Sequence, residues 1–188
     1  MSEPNDFNAI PKTFWSFEKD APFECCSLCG EDLFKPGTGL FSLPNSYHIE
    51  KAYKKDEVLY ECAICSSCRE NLTKELSDQS LKLISNYLGE HVDPTERYEQ
   101  LIEAHSDSPD GWINHCMVKG TSVDDTKEYQ ICGEFVGTQL RYSVFPYALG
   151  NEAIEELTQL LSDETRGALD DFSNKVFDID LSNPMLFL

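Results

Sequence analysis

A chain of 188 residues with 40% apolar and 11% aromatic residues has material for one or two small cores and is too apolar for general disorder. Its formal net charge of −19 opposes phosphate backbones and anionic lipid, which argues against nucleic acid and membrane surfaces as partners. The first residues show no basic segment followed by an apolar run, and no apolar stretch approaches the roughly 20 residues of a membrane span, so the expected setting is soluble and cytoplasmic.

The charge is uneven, at −2 over residues 1–20, −3 over 21–75 and −14 over 76–188. Residues 1–20 read as an N-terminal arm whose Phe14, Trp15 and Phe17 are available to dock. The knuckle CSLCG follows at Cys26–Gly30, then a turn-rich loop. Alternating runs at Tyr47–Tyr53 and Val58–Ile64, with KKDE between them, predict a hairpin. In CSSCREN, Ser67 and Glu70 have capping-box spacing and predict a helix from Cys68, with a break near Ser77 and an end at Gly89. Asp93–Pro94 starts another helix, whose Tyr98, Leu101, Ile102 and His105 form a stripe.

After SDSPDG, strands are expected at Trp112–Val118, Glu128–Val136 and Leu140–Tyr147, with Gly137 in the tight connection between the last two. Two helices follow, one marked by Ile154, Leu157 and Leu161 and one by Leu169, Phe172 and Val176, and the apolar tail NPMLFL should dock. No internal repeat or low-complexity block stands out. The reading is an α+β protein: an N-terminal arm (1–20), a zinc-binding treble-clef-like module of knuckle, β-hairpin and helix with further helices (21–106), and a C-terminal domain of a small antiparallel sheet with helices (107–188).

The chemistry concentrates in two CxxC pairs, Cys26/Cys29 and Cys65/Cys68, separated by 35 residues. Clustered CxxC spacing favours a reduced, metal-binding set over disulfides. A CxxCG turn brings two thiolates to one metal, and the second pair arrives at a predicted helix start, whose partial positive charge favours thiolate. Four cysteines close a zinc tetrahedron with no position for water, so one structural zinc per chain is expected on Cys26, Cys29, Cys65 and Cys68. Cys25 could instead pair with Cys29, but that spacing loses the knuckle, and Cys62 shares a strand face with Tyr60 and Ile64, which suits a buried thiol.

Other constellations carry less. On a strand, His115 and Cys116 would point to opposite faces, making His115 a core or sheet-face histidine. Cys132 lies with Gln130 and Glu134 on what reads as a polar face, without a base to activate it. The Lys51, Lys54 and Lys55 group reads as a soluble hairpin tip.

The segments CSLCG, YHIEKAY, YECAICSSC, GWINHCMVKG, EYQICGEFVG and LSDETRGALDDF resemble those of a family of uncharacterised bacterial proteins, from about Cys26 to Phe177. The resemblance implies a bacterial cytosolic setting and a zinc-binding N-terminal half, and no reaction. The leading expectation is therefore a non-enzymatic, zinc-stabilised adaptor or regulatory protein that binds another, basic, protein. The alternatives are an enzyme with a site near His115, Cys132 and Arg141, and a redox or metal sensor that uses the zinc cysteines.

Overall fold

In the computed structural model, which describes residues 10–36, 45–105 and 108–177, strands β1 (Ser46–Lys54) and β2 (Glu57–Cys65) form the expected hairpin. Lys55, in the left-handed region at φ 56°, turns the chain between them. Strand β3 (Glu128–Val136) pairs antiparallel with β1 along its whole length, from Ser46 opposite Val136 to Lys54 opposite Glu128. Short strands β4 (Gln139–Leu140) and β5 (Tyr147–Gly150) both pair with β3, so the sheet runs β2-β1-β3-β4 with β5 also on β3. The mixed α+β reading holds. The hairpin and the later strands share one sheet, because β1 is apolar enough to be buried on both faces and β3 covers its free edge.

The period-2 alternation of the strands sends side chains to two cores. One face packs Tyr60, Ile64, Leu149, Ile154, Leu157 and Phe172 beneath helices α1 (Ser66–Glu75), α5 (Asn151–Gln159) and α6 (Asp163–Phe177). The other packs Tyr47, Ile49, Ile131 and Phe135 against Ile10, Phe14 and Trp112. Helices α2 (Asp78–His91) and α3 (Pro94–His105) bury little, and α4 (Asp110–Ile113) is a single turn that seats Trp112.

Several expectations need correction. Trp112–Val118 is not a strand: its apolar alternation is absorbed by α4 and a turn, leaving His115 exposed on a loop and Cys116 buried. Leu140–Tyr147 is interrupted: only its ends pair with β3, and Pro146, which has no N–H to give a ladder, lies between them. Helix α1 starts at Ser66 with Cys65 as N-cap and no side-chain cap, so the Ser67/Glu70 capping box does not form. Gly89 lies inside α2, which continues to His91. Cys132 and Gln130 are buried, so their face is polar but not solvated. Lys51 lies in the core, not at the hairpin tip, and its ammonium is 3.2 Å from the Glu61 carboxylate. In the arm, Phe14 docks edge-on to Phe135 at 5.3 Å, whereas Phe17 stays 73% exposed. The NPMLFL tail and residues 1–9 lie outside the described residues.

The break near Ser77 and the Asp93–Pro94 start both hold. Ser77 caps α2 through Ser80 N, and Asp93 Oδ1 accepts from Thr95 N and Glu96 N at 2.9 and 3.0 Å.

The structure also contains a repeat. Helices α1 and α5 begin at residues 66 and 151, and α2 and α6 at 78 and 163, a common offset of 85. The motif Leu76-Ser77-Asp78 recurs as Leu161-Ser162-Asp163 at the two helix starts. There the hydrogen bonds are reciprocal: Ser77 N donates to Thr165 Oγ1 and Ser162 N to Ser80 Oγ, each at 2.9 Å. Ser80 N and Thr165 N cap onto Ser77 Oγ and Ser162 Oγ, each at 3.2 Å. Reciprocity of this kind marks a two-fold relation between the halves.

Candidate metal centre

Cys26 and Cys29 sit on a turn whose backbone closes on itself. Gly30 N donates to Cys26 O and Cys26 N to Glu31 O, each at 2.8 Å. Gly30 takes φ 74°, a conformation that costs a side-chain-bearing residue energy but glycine nothing. Ser27 fastens the turn to β2: its N donates to Ala63 O at 2.8 Å, and its Oγ accepts from Ala63 N at 3.1 Å. Two residues on, β2 ends at Cys65, which is also the N-cap of α1, and Cys68 is the third helical residue. N-cap and third-residue side chains point at one another at a helix start, the same geometry that builds capping boxes, and here it converges two sulfurs.

The four sulfur atoms of Cys26, Cys29, Cys65 and Cys68 all lie within 4.8 Å of one another, and this group could hold a metal ion. Cys29 Sγ and Cys65 Sγ are 3.8 Å apart, the edge length of a tetrahedron with metal–sulfur bonds of about 2.3 Å. Cys26 Sγ also accepts from Cys65 N at 3.4 Å. Burial acts to raise the Cys26 thiol, but N–H groups of Cys65, Cys29 and Leu28 outweigh it and hold it below its ordinary range. Burial pushes the Cys65 and Cys68 thiols up, and for Cys68 the neighbouring Cys29 and Cys65 add to the rise. A divalent cation bound among the four would draw the protons off all of them.

The remaining cysteines stand apart. Cys25 is exposed and bridges Asp32 through its backbone, while Cys62 is fully buried on the helix-covered sheet face. The three residues considered for an enzyme site are scattered by environment: His115 and Arg141 are exposed, and Cys132 is buried.

Sequence reasoning missed a buried polar row. The register places Cys62, Glu50, Cys132 and Tyr147 side by side across four strands. Burial raises the Glu50 carboxyl to about 8 against a partial opposing pull from Arg69, and it pushes the Cys62, Cys132 and Tyr147 protons on more tightly. Burial lowers His48, on the same face, to about 3. Neither ring nitrogen of His48 has a hydrogen-bond partner among the described residues, and the ring lines a cleft of about 550 Å³ with Arg69, Lys74 and Glu134. The signal was available in YHIEKAY, where His48 and Glu50 alternate with Tyr47 and Ile49 and must face inward once β1 is central.

No protein-family model, curated protein or solved structure matches this chain. No helix among the described residues is long and apolar enough to cross a membrane.

Proposed function

We propose that Cys26, Cys29, Cys65 and Cys68 hold one structural zinc ion in a treble-clef-like module, and that the protein is a non-enzymatic, cytoplasmic adaptor or regulator that binds a basic protein. The observation that carries the zinc reading is the convergence of four sulfurs within 4.8 Å, two from a glycine turn and two from a helix start. Four thiolates complete the coordination of zinc and leave no open position, which suits a staple and not a catalyst. The partner reading rests on the net charge of −19 and its concentration in residues 76–188.

Two measurements test these parts separately. Elemental analysis should give one zinc per chain, and X-ray absorption should show four sulfur neighbours at about 2.3 Å. Nitrogen or oxygen ligands, or no metal, would refute the centre. A partner captured from the native host should be basic and should associate more slowly as salt rises, because exposed charges are screened beyond about 8 Å at physiological ionic strength. Tight binding of a DNA duplex at that ionic strength would refute the partner class.

One observation favours a second reading, a catalytic or ligand-binding protein: His48 lies 4% exposed in the wall of the cleft with Arg69, its ring nitrogens without a hydrogen bond and its Nε2 4.0 Å from Glu134 Oε1. Shifts of the His48 ring resonances on adding small carboxylates would support it.

A further inference from the structure

The two-fold relation extends to the metal centre. In the second half the chain again forms a knuckle: Cys116 N donates to Thr121 O and Gly120 N to Cys116 O, each at 2.8 Å, with Gly120 at φ 67°. These match the Cys26–Glu31 turn bond for bond. Met117 N donates to Ala148 O of β5 at 2.8 Å, as Ser27 N does to Ala63 O of β2. Backbone bridges flank both turns, Cys25 with Asp32 and His115 with Ser122. Two residues beyond Ala148 comes Gly150, the N-cap of α5, and three further comes Ala153. The positions of Cys26, Cys29, Cys65 and Cys68 therefore correspond to Cys116, Lys119, Gly150 and Ala153.

One ligand survives of four, and a cation stands on the same turn. The Lys119 ammonium lies 2.7 Å from Glu156 Oε1 and 3.9 Å from Glu152 Oε1. The α1 positions that correspond to Glu152 and Glu156 are Ser67 and Asn71, both neutral. At these two positions, acidic groups thus stand only in the half where a lysine occupies a thiolate's place. The site remains concave: a cavity of about 130 Å³ is lined by Cys116, Lys119, Thr126, Gly150 and Ala153. A Cβ built on Gly150 would lie 3.7 Å from the Cys116 Cβ, so side chains at the two positions are neighbours.

We infer that the second half is a copy of the metal module in which the Lys119–Glu156 ion pair has taken over the metal's stapling role, and that its pocket will bind a divalent metal once the lost thiolates return. This rests on the four-cysteine centre only for its template.

The test is the full-length variant Lys119→Cys, Gly150→Cys, Ala153→Cys, with Thr126→Ser to relieve the Thr126 methyl, which lies 2.9 Å from the Gly150 Cβ position. Titrated with cobalt(II) alone, it should take one equivalent more than the parent chain, with ligand-field bands of a tetrahedral thiolate site. With Cys116→Ser added, three thiolates remain, so the extra equivalent should bind more weakly and lose the bands of a four-thiolate site. No increment in a folded variant would overturn the inference. If the parent binds no metal and the variant binds one, the first centre fails and this inference stands. Should the variant not fold, Lys119→Cys with Ala153→Cys, which keeps Gly150, offers three thiolates and should still take up cobalt(II) in a Cys116-dependent way; no uptake by that variant overturns the inference. In the otherwise natural chain, Lys119→Met should lower the melting temperature and Lys119→Arg should restore most of the loss.

Discussion

Ser77 Oγ and Ser162 Oγ lie 2.8 Å apart, each capping its own helix and touching its counterpart across the two-fold axis. Neither cap is independent, because the hydroxyls share one hydrogen-bonded ring with Ser80 and Thr165. Ser77→Ala or Ser162→Ala should each cost about 0.5–2 kcal/mol, the range for a lost N-cap. The double variant should cost less than their sum, since the first substitution already breaks the shared bond. Urea unfolding of all four proteins checks this, and strict additivity would contradict a shared ring.

Cys29→Ser removes one of the four sulfurs that would hold the proposed zinc. Structural zinc contributes on the order of 10 kcal/mol of apparent binding free energy, all of it linked to folding. The variant should lose its metal and should lose amide protection across Cys26–Leu33 and the start of α1, which the knuckle clamps to β2. Protection in α5 and α6 should persist, because that half has its own staple. Unchanged exchange at Ser27 and Ala63 would show that the metal does not hold the turn.

How far the sequence could be read depends on the range of the interaction. The knuckle in CSLCG, the hairpin around KKDE and the break near Ser77 are local and were legible, whereas the Ser77 cap that makes the break came only with the structure. The Trp112–Val118 segment was misread because a buried Trp112 in a single helical turn followed by a buried Cys116 mimics strand alternation. The alternation that puts His48 and Glu50 on one face was legible in YHIEKAY, but the burial of that face was not, since it depends on β1 pairing with a strand about 80 residues away. The repeat was partly legible in the two Leu-Ser-Asp motifs, but loss of three ligands from the second half removed the pattern that would have exposed it.

Glu50→Gln should change how stability depends on pH. The folded carboxyl is raised to about 8 from 4.5, so the stability tied to its neutral form is complete below pH 4.5 and is lost as pH rises through 8. The loss proceeds at about 1.4 kcal/mol per pH unit in that window. The variant, neutral throughout, should gain on the parent between pH 5 and 8 and hold a constant difference above that. Parallel pH profiles would show that Glu50 is ionised in the folded protein.

Lys51→Met should release the N-terminal segment. The ammonium donates to Trp15 O at 2.6 Å and pairs with Glu61, whose carboxylate also accepts from Ser16 Oγ and Phe17 N. Burial acts to raise Glu61, but Phe17 N, Ser16 and Lys51 outweigh it, so its contribution holds above the ordinary carboxylate range and fades as pH falls through its lowered value. Losing the cation should cost about 2 kcal/mol, below the 3–5 kcal/mol of a fully buried pair because Glu61 still meets water. Limited proteolysis should cut near Phe17 faster in the variant; an unchanged cleavage rate would refute the clamp.

Cys62 and Tyr147 correspond at the repeat's offset of 85, and their ladder partners are Glu50 and Cys132, so these two are equivalents, and the antiparallel register of β1 on β3 places them opposite each other. A strand paired this way meets its likeness in the same register, so the central seam of the sheet has the form of a homodimer interface carried within one chain. Severed between α3 and α4, each fragment would present the open edge that the other covers. The two should reassociate when mixed, and the first alone should self-associate along β1, as size-exclusion chromatography would register. Covalent linkage turns an association that would depend on concentration into one that does not, and so frees each half to diverge: one carries four cysteines, while the other keeps one of them beside an ion pair.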